Sequence, residues 1–166
     1  MSARSRFARY LELSGPGWEI RARDLGLATS ERAVLESEFG GLVSLMTPKA
    51  VVLKRLGSPD SSVGGSVYYD LGVRRDYIFE FVFSLDREVL VESGYERKEP
   101  RRVAMSRPGS EEEAEQLRAF LVAQGATKAE LRRGLGIPVS RDGWWPYETW
   151  SYGDFLALEL RLGVVE

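Results

Sequence analysis

The side chains available for chemistry are carboxylates, lysines, arginines, tyrosines and Ser/Thr hydroxyls; the chain has no histidine and no cysteine. Zinc sites of the usual Cys/His kind are therefore excluded. So are thiol nucleophiles, Ser-His-Asp triads and imidazole acid–base catalysis. Among the carboxylates, Glu80 and Glu159 stand out, because each is centred in an alternating stretch, Phe79-Glu80-Phe81 and Leu158-Glu159-Leu160. Two facing carboxylates are the machinery of glycoside hydrolysis. Glutamates on the open face of a sheet are, however, ordinarily solvated charge, and nothing nearby spells a sugar pocket. The acidic run "EEEAE" (111–115) opens a helix, where acids suit the helix dipole, and is not a metal site. Gly64-Gly65 lacks the Lys-Ser/Thr that a phosphate loop needs. No catalytic residue, cofactor or metal ligand is assigned.

Binding is better supplied than catalysis. "DGWWPYETWSYG" (142–153) places three Trp and two Tyr in twelve residues. Such rings dominate interface energetics because each buries a large area and carries a polar handle. Trp144 and Trp145, ahead of a proline in a Gly-flanked loop, are expected to leave at least one indole exposed, with Tyr147 beside them. Trp150 falls in regular alternation and is expected in the core. Tyr68 is the corresponding candidate in the first half. Glu80, Glu159 and Arg161 are expected on an open sheet face, where they would set charge complementarity to a partner.

These residues sit on elements that local signals outline. "FARYLEL" (7–13) and "WEIRARDL" (18–25) flank "SGPG" and predict an N-terminal hairpin over residues 1–28. "TSERAVLESEFGG" (29–41) predicts a helix with Val34, Leu35 and Phe39 as its buried stripe. A short helix follows, with Thr47 as N-cap, Pro48 in the first helical position, Val51, Val52 and Leu56 as its apolar side, and Gly57 and Pro59 as its stop. Strands are predicted at 66–72, 76–85 and 88–97, after a polar loop. Residues 97–109, "RKEPRRVAMSRPG", are rich in arginine and read as a linker (98–109), solvated rather than bound to an acidic partner or nucleic acid. A Ser-capped helix at 110–125 and a second short helix ending in Leu135-Gly136-Ile137-Pro138 come next. Strands at 144–153 and 154–165 close the chain.

The order of these features repeats. "TPKAVVLKRLGSP" (47–59) and "ATKAELRRGLGIP" (126–138) share a Lys-Ala, a basic pair and Leu-Gly-x-Pro. Each is preceded by a longer helix and followed by a polar loop, an aromatic strand, a glycine and a long alternating strand. On this alignment Tyr69 matches Trp150, Gly72 matches Gly153, and Glu80 matches Glu159. The unit resembles the repeat of the β-lactamase-inhibitor protein fold. It is similar, too, to the SmpA/OmlA outer-membrane lipoprotein domain, whose Thr-initiated short helix, Leu-Gly-x-Pro and Trp-x-Tyr stand here as Thr127, the Leu135 motif and Trp150-Ser151-Tyr152. The likeness covers roughly residues 29–166. It implies an α+β fold of two tandem helix–helix–antiparallel-sheet repeats (29–97 and 110–166), forming one curved sheet with helices on one face. Lipidation and disulfides do not carry over, since both need cysteine.

The chain has 166 residues, 43% hydrophobic and 29% charged, and a formal net charge of −2. That is ordinary globular composition, and it lacks the basic surplus of a bulk nucleic-acid binder. No stretch approaches the length of a membrane span, and the basic N-terminus has no apolar run of signal length, so a cytoplasmic location is expected. The resemblance implies a non-enzymatic protein-binding module, an inhibitor or immunity-type protein that masks another protein. A self-associating scaffold is the alternative; a small-ligand binder or a carboxylate enzyme follows at a distance.

Overall fold

The computed structural model describes residues 1–166 and shows an α+β protein. Its elements are α1 (Ala3–Glu12), α2 (Trp18–Asp24), α3 (Thr29–Phe39), α4 (Lys49–Leu56), β1 (Ser61–Val63), β2 (Ser66–Tyr69), β3 (Tyr77–Phe83), β4 (Leu90–Arg97), α5 (Glu111–Gln124), α6 (Lys128–Leu135), β5 (Ser140–Asp142), β6 (Tyr147–Tyr152), β7 (Leu156–Arg161) and β8 (Val164–Val165). The strands form two four-stranded antiparallel meanders, β1-β2-β3-β4 and β5-β6-β7-β8, not the single curved sheet that the resemblance implies. The chain divides into two compact units, Met1–Gly94 and Tyr95–Glu166.

The N-terminus is helical where a hairpin was expected. Phe7, Ala8, Tyr10 and Leu11 are its buried residues, grouped on one side of a helix, and Ser2 caps it by accepting from the Ser5 amide at 3.1 Å. In the first unit Phe7 drives this helix into the core: its ring lies 5.5 Å from Phe39, 5.4 Å from Phe79 and 5.8 Å from Phe81. The alternation of β3 holds, with Phe79, Phe81 and Phe83 buried and Ile78, Glu80 and Val82 half-buried on the other side. Leu35 and Phe39 are buried as expected, whereas Val34 and Val51 are exposed. Thr47 does not cap α4. Pro48 holds the cap position, and the Thr47 hydroxyl donates instead to the Gly41 and Ser44 carbonyls, both at 2.7 Å.

In the second unit α5 starts at Ser110, whose hydroxyl accepts from the Glu113 amide, and stops at Gly125 in the left-handed conformation (φ 59°). Leu156, Leu158 and Leu160 of β7 pack with Leu121, Leu131, Leu135 and Trp150. The strand expected over 154–165 turns at Leu162-Gly163 and returns as β8, so the second sheet completes itself with its own fourth strand.

The duplication shows in backbone hydrogen bonds. Both short helices run eight residues and end at a glycine of nearly the same conformation, Gly57 (φ 82°, ψ −168°) and Gly136 (φ 84°, ψ −162°). The Lys49 amide donates to the Glu88 carbonyl as the Lys128 amide does to Gly163, and Leu90 donates to Thr47 as Val165 does to Ala126. A tyrosine then locks each Leu-Gly-x-Pro segment. The Tyr69 hydroxyl donates to the Gly57 carbonyl at 2.7 Å, and the Tyr152 hydroxyl to the Gly136 carbonyl at 3.0 Å. An arginine lies against each ring, Arg4 at 5.0 Å from the Tyr69 centroid and Arg107 at 5.5 Å from that of Tyr152. Each donates to the residue after the glycine, Arg4 to Ser58 O at 2.5 Å and Arg107 to Ile137 O at 3.3 Å.

That lock corrects the sequence alignment by two residues. Tyr69 corresponds to Tyr152, not Trp150, because Asp60 bonds Tyr68 O as Val139 bonds Ser151 O. Since Tyr69 pairs with Phe79 and Tyr152 with Leu156, Glu80 corresponds to Ala157, and Glu159 to Val82. A two-residue shift preserves the inward–outward parity of a strand, so the buried faces were right although the matched residues were not.

Candidate functional site

The β5–β6 turn of the second unit, Gly143-Trp144-Trp145-Pro146, is the most conspicuous surface feature. Gly143 has φ 108°, and a Cβ there would lie 2.8 Å from the Tyr147 carbonyl oxygen, so only glycine fits. The turn is pinned at several points. The Tyr147 amide donates to Trp144 O at 2.8 Å, the Leu162 amide to Pro146 O at 2.9 Å, and the Gly143 amide to the Asp142 carboxylate at 2.9 Å. The Trp145–Pro146 peptide bond is cis. Trp145 and Tyr147 are half-buried and Pro146 is buried, whereas Trp144 is 79% exposed. Ile137 and Val139, just before β5, are also strongly exposed. The first unit has no counterpart to this loop. Its β1–β2 turn is Gly64-Gly65, and a Cβ on Gly65 would come within 2.3 Å of the Phe83 carbonyl oxygen.

The remaining expected residues divide. Tyr68 and Glu80 face each other across β2 and β3, and the Tyr68 hydroxyl donates to Glu80 Oε2 at 2.8 Å. Both are half-buried. Glu159 is exposed opposite Thr149. Arg161, expected on the open face beside it, is only 5% exposed. The reason is the turn at Leu162-Gly163, which lays Val164 beside Arg161 on one side while Tyr147 pairs with it on the other. Arg161 is therefore a buried residue of the second unit and not a contact-setting charge. Trp150 is fully buried, as its alternation predicts.

Charged clusters that the sequence did not announce gather around Lys128 and Glu130 in the first turn of α6. Lys128 and Glu130 are each 3% exposed. Thr127 and Glu130 form a reciprocal capping box at the start of α6. Glu130 also accepts from Arg97 at 3.4 Å and Arg101 at 2.6 Å. Burial pushes the Glu130 carboxyl up, but the Arg101 hydrogen bond, the Thr127 amide and the charges of Arg97 and Arg101 outweigh it and hold it below the ordinary range. Glu148 behaves alike: burial pushes it up, while Lys128 and Arg141 bring it down on balance. Its Lys128 partner forms a close ion pair, and Arg141 donates to it at 2.9 Å. The guanidiniums of Arg132 and Arg141 lie 5.1 Å and 4.8 Å from the Trp150 ring centroid. Thr127-x-x-Glu130 is the one signal that could have revealed part of this network. Nothing local marks Lys128 as buried. Comparison with protein-family models, curated proteins and solved structures finds no match.

Proposed function

We propose that this protein acts by binding another protein, with the Trp144–Tyr147 turn as the anchor of the contact. The observation that carries this is an indole held 79% exposed on a turn fixed by main-chain bonds and a glycine that no other residue can replace. A rigid exposed aromatic loses little conformational freedom on docking, which is what makes such residues hot spots. Exposed Ile137 and Val139 extend the apolar surface of the same unit, and exposed Glu159 supplies charge. In the inhibitor or immunity-type form of this function, the contact masks the partner's own working surface. Buried Lys128 is paired with half-buried Glu148, and buried Glu130 with Arg97 and Arg101, which favours binding over catalysis.

The test is capture from a lysate of the source cells by tagged wild type and by Trp144→Ala, with melting temperatures measured in parallel. One stoichiometric partner, lost by the variant at an unchanged melting temperature, is the expected result. Equal capture by the variant would contradict the anchor. Concentration-dependent dimerisation abolished by Trp144→Ala would point to the self-associating scaffold instead.

A further inference from the structure

Residues 101–108, "RRVAMSRP", form a stretch without turn or bend, and the exposure of residues 101–106 alternates as a strand's does. Val103 and Met105 pack against the core of the second unit, while Arg102, Ala104 and Ser106 face out. The stretch is fastened along its length. Arg101 donates to Glu130 at 2.6 Å and to Gln124 Oε1 at 3.0 Å. Met105 occupies the space where Gly134 lacks a side chain; a Cβ there would lie 2.2 Å from Met105 Cγ. Arg107 donates to Leu135 O at 3.0 Å. Between these fastenings, no main-chain amide or carbonyl of residues 102–106 bonds to another protein group. The result is a preformed strand-like edge with a vacant partner position.

Beside it runs a groove of about 580 Å³ lined by Arg101, Arg102, Met105, Glu130, Arg133 and Gly134. Glu130 is already matched by Arg97 and Arg101. Arg102 and Arg133 are exposed, and neither pairs with a carboxylate. The groove is thus cationic in a chain whose net charge is −2.

We infer that this edge and groove receive an extended acidic peptide segment of another protein, which adds as a strand along residues 102–106 and places its carboxylates against Arg102 and Arg133. Strand addition satisfies the idle main-chain groups, and carboxylates suit the forked guanidinium geometry. A nucleic acid would neutralise the arginines but leaves the alternating amides and carbonyls unanswered, whereas an extended peptide answers both. This surface is separate from the Trp144 turn and does not depend on it.

The experiment selects a phage-displayed library of random dodecapeptides on the full chain and measures a labelled selected peptide by fluorescence polarisation. Acidic residues at alternate positions are expected. The double variant Arg102→Glu/Arg133→Glu, checked for native melting, should weaken binding by about tenfold or more. The Arg102→Lys/Arg133→Lys variant, which keeps the charge and loses the fork, should bind between the wild type and the double glutamate variant, Trp144→Ala should change nothing, and hydrogen exchange at residues 102–106 should slow on binding. Selected peptides without acidic enrichment, binding unchanged in the double glutamate variant, or unaltered exchange at 102–106 would overturn the inference. So would a twelve-nucleotide oligo-dT that binds more tightly than the peptides.

Discussion

The two units solve one packing problem with different materials. The first fills its core with aromatic rings, Phe7, Phe39, Phe79, Phe81 and Tyr69, and takes its cover from α1. The second uses leucines around Trp150, and Val103 and Met105 from an extended stretch lie against them. Both retain the eight-residue helix, its glycine stop, the tyrosine–carbonyl bond and the arginine against the ring. What both halves share is what the fold requires. What only one half has, the Trp144 turn, the buried ions and the cationic edge, is where a particular function can reside.

Single substitutions break this comparison at graded depth. Trp150→Ala removes a fully buried ring and should cost about 3–5 kcal/mol in chemical denaturation. The equivalent change in the first unit, Val67→Ala, deletes much less volume and should cost less. Glu130→Ala leaves Arg97 and Arg101 without their carboxylate and should cost about 3 kcal/mol. Its counterpart on α4 is Val51, which is exposed, so Val51→Ala should stay within about 0.5 kcal/mol of wild type. A denaturation series that gave the two changes equal cost would show the ionic network to be idle.

The same contrast has a pH signature. Glu130 and Glu148 are held below their ordinary values in the folded chain. Each therefore contributes stability that is full above the unfolded carboxylate pKa of about 4.3 and is lost as pH falls through the lower folded value. Melting temperature should drop steeply below about pH 4, and Glu130→Gln with Glu148→Gln should flatten that drop. An unchanged acid limb in the double variant would place the sensitivity elsewhere, with Asp60 and Glu38 of the first unit, which are also lowered, the next to test. At the small end, Trp144→Ala should alter stability by no more than about 0.5 kcal/mol, because its ring is outside the core.

Sequence signals were strongest where structure is decided locally. Ser110, Gly125, Gly57 and Gly136 delimit helices by capping and positive-φ glycine geometry, and each stands where its residue type predicts. The inward rows of β3 and β7 were equally plain, because parity along a strand is a two-residue property. The misreadings arose where a local pattern fits more than one outcome. "FARYLEL" fits both periods, and the choice is made by Phe39, Phe79 and Phe81, which Phe7 reaches only in the fold. The repeat alignment slipped because the turns between the paired strands differ in length, and the correspondence is fixed by main-chain bonds, strand pairing and the Tyr69 and Tyr152 hydroxyl bonds that the fold alone brings together. Arg161 looked exposed because the return of β8 depends on one turn, Leu162-Gly163, hidden inside an apolar run. Of the candidate surface, the exposed Trp144 and Glu159 were legible; the arginine-lined edge read as a linker, since composition does not show that Met105 fits against Gly134.

The equivalence of the two halves rests on the arginine–tyrosine lock, and paired double-mutant cycles test it most directly. Arg4→Ala with Tyr69→Leu, and Arg107→Ala with Tyr152→Leu, which remove the ring that the arginine lies against, would be compared by urea denaturation. The lost hydroxyl bond alone, read in each Tyr→Phe, should cost about 1 kcal/mol, and each Arg→Ala/Tyr→Leu pair should show a favourable coupling of roughly 0.5–1 kcal/mol, alike in the two units. Coupling in one unit and none in the other would contradict the claim that one device was built twice.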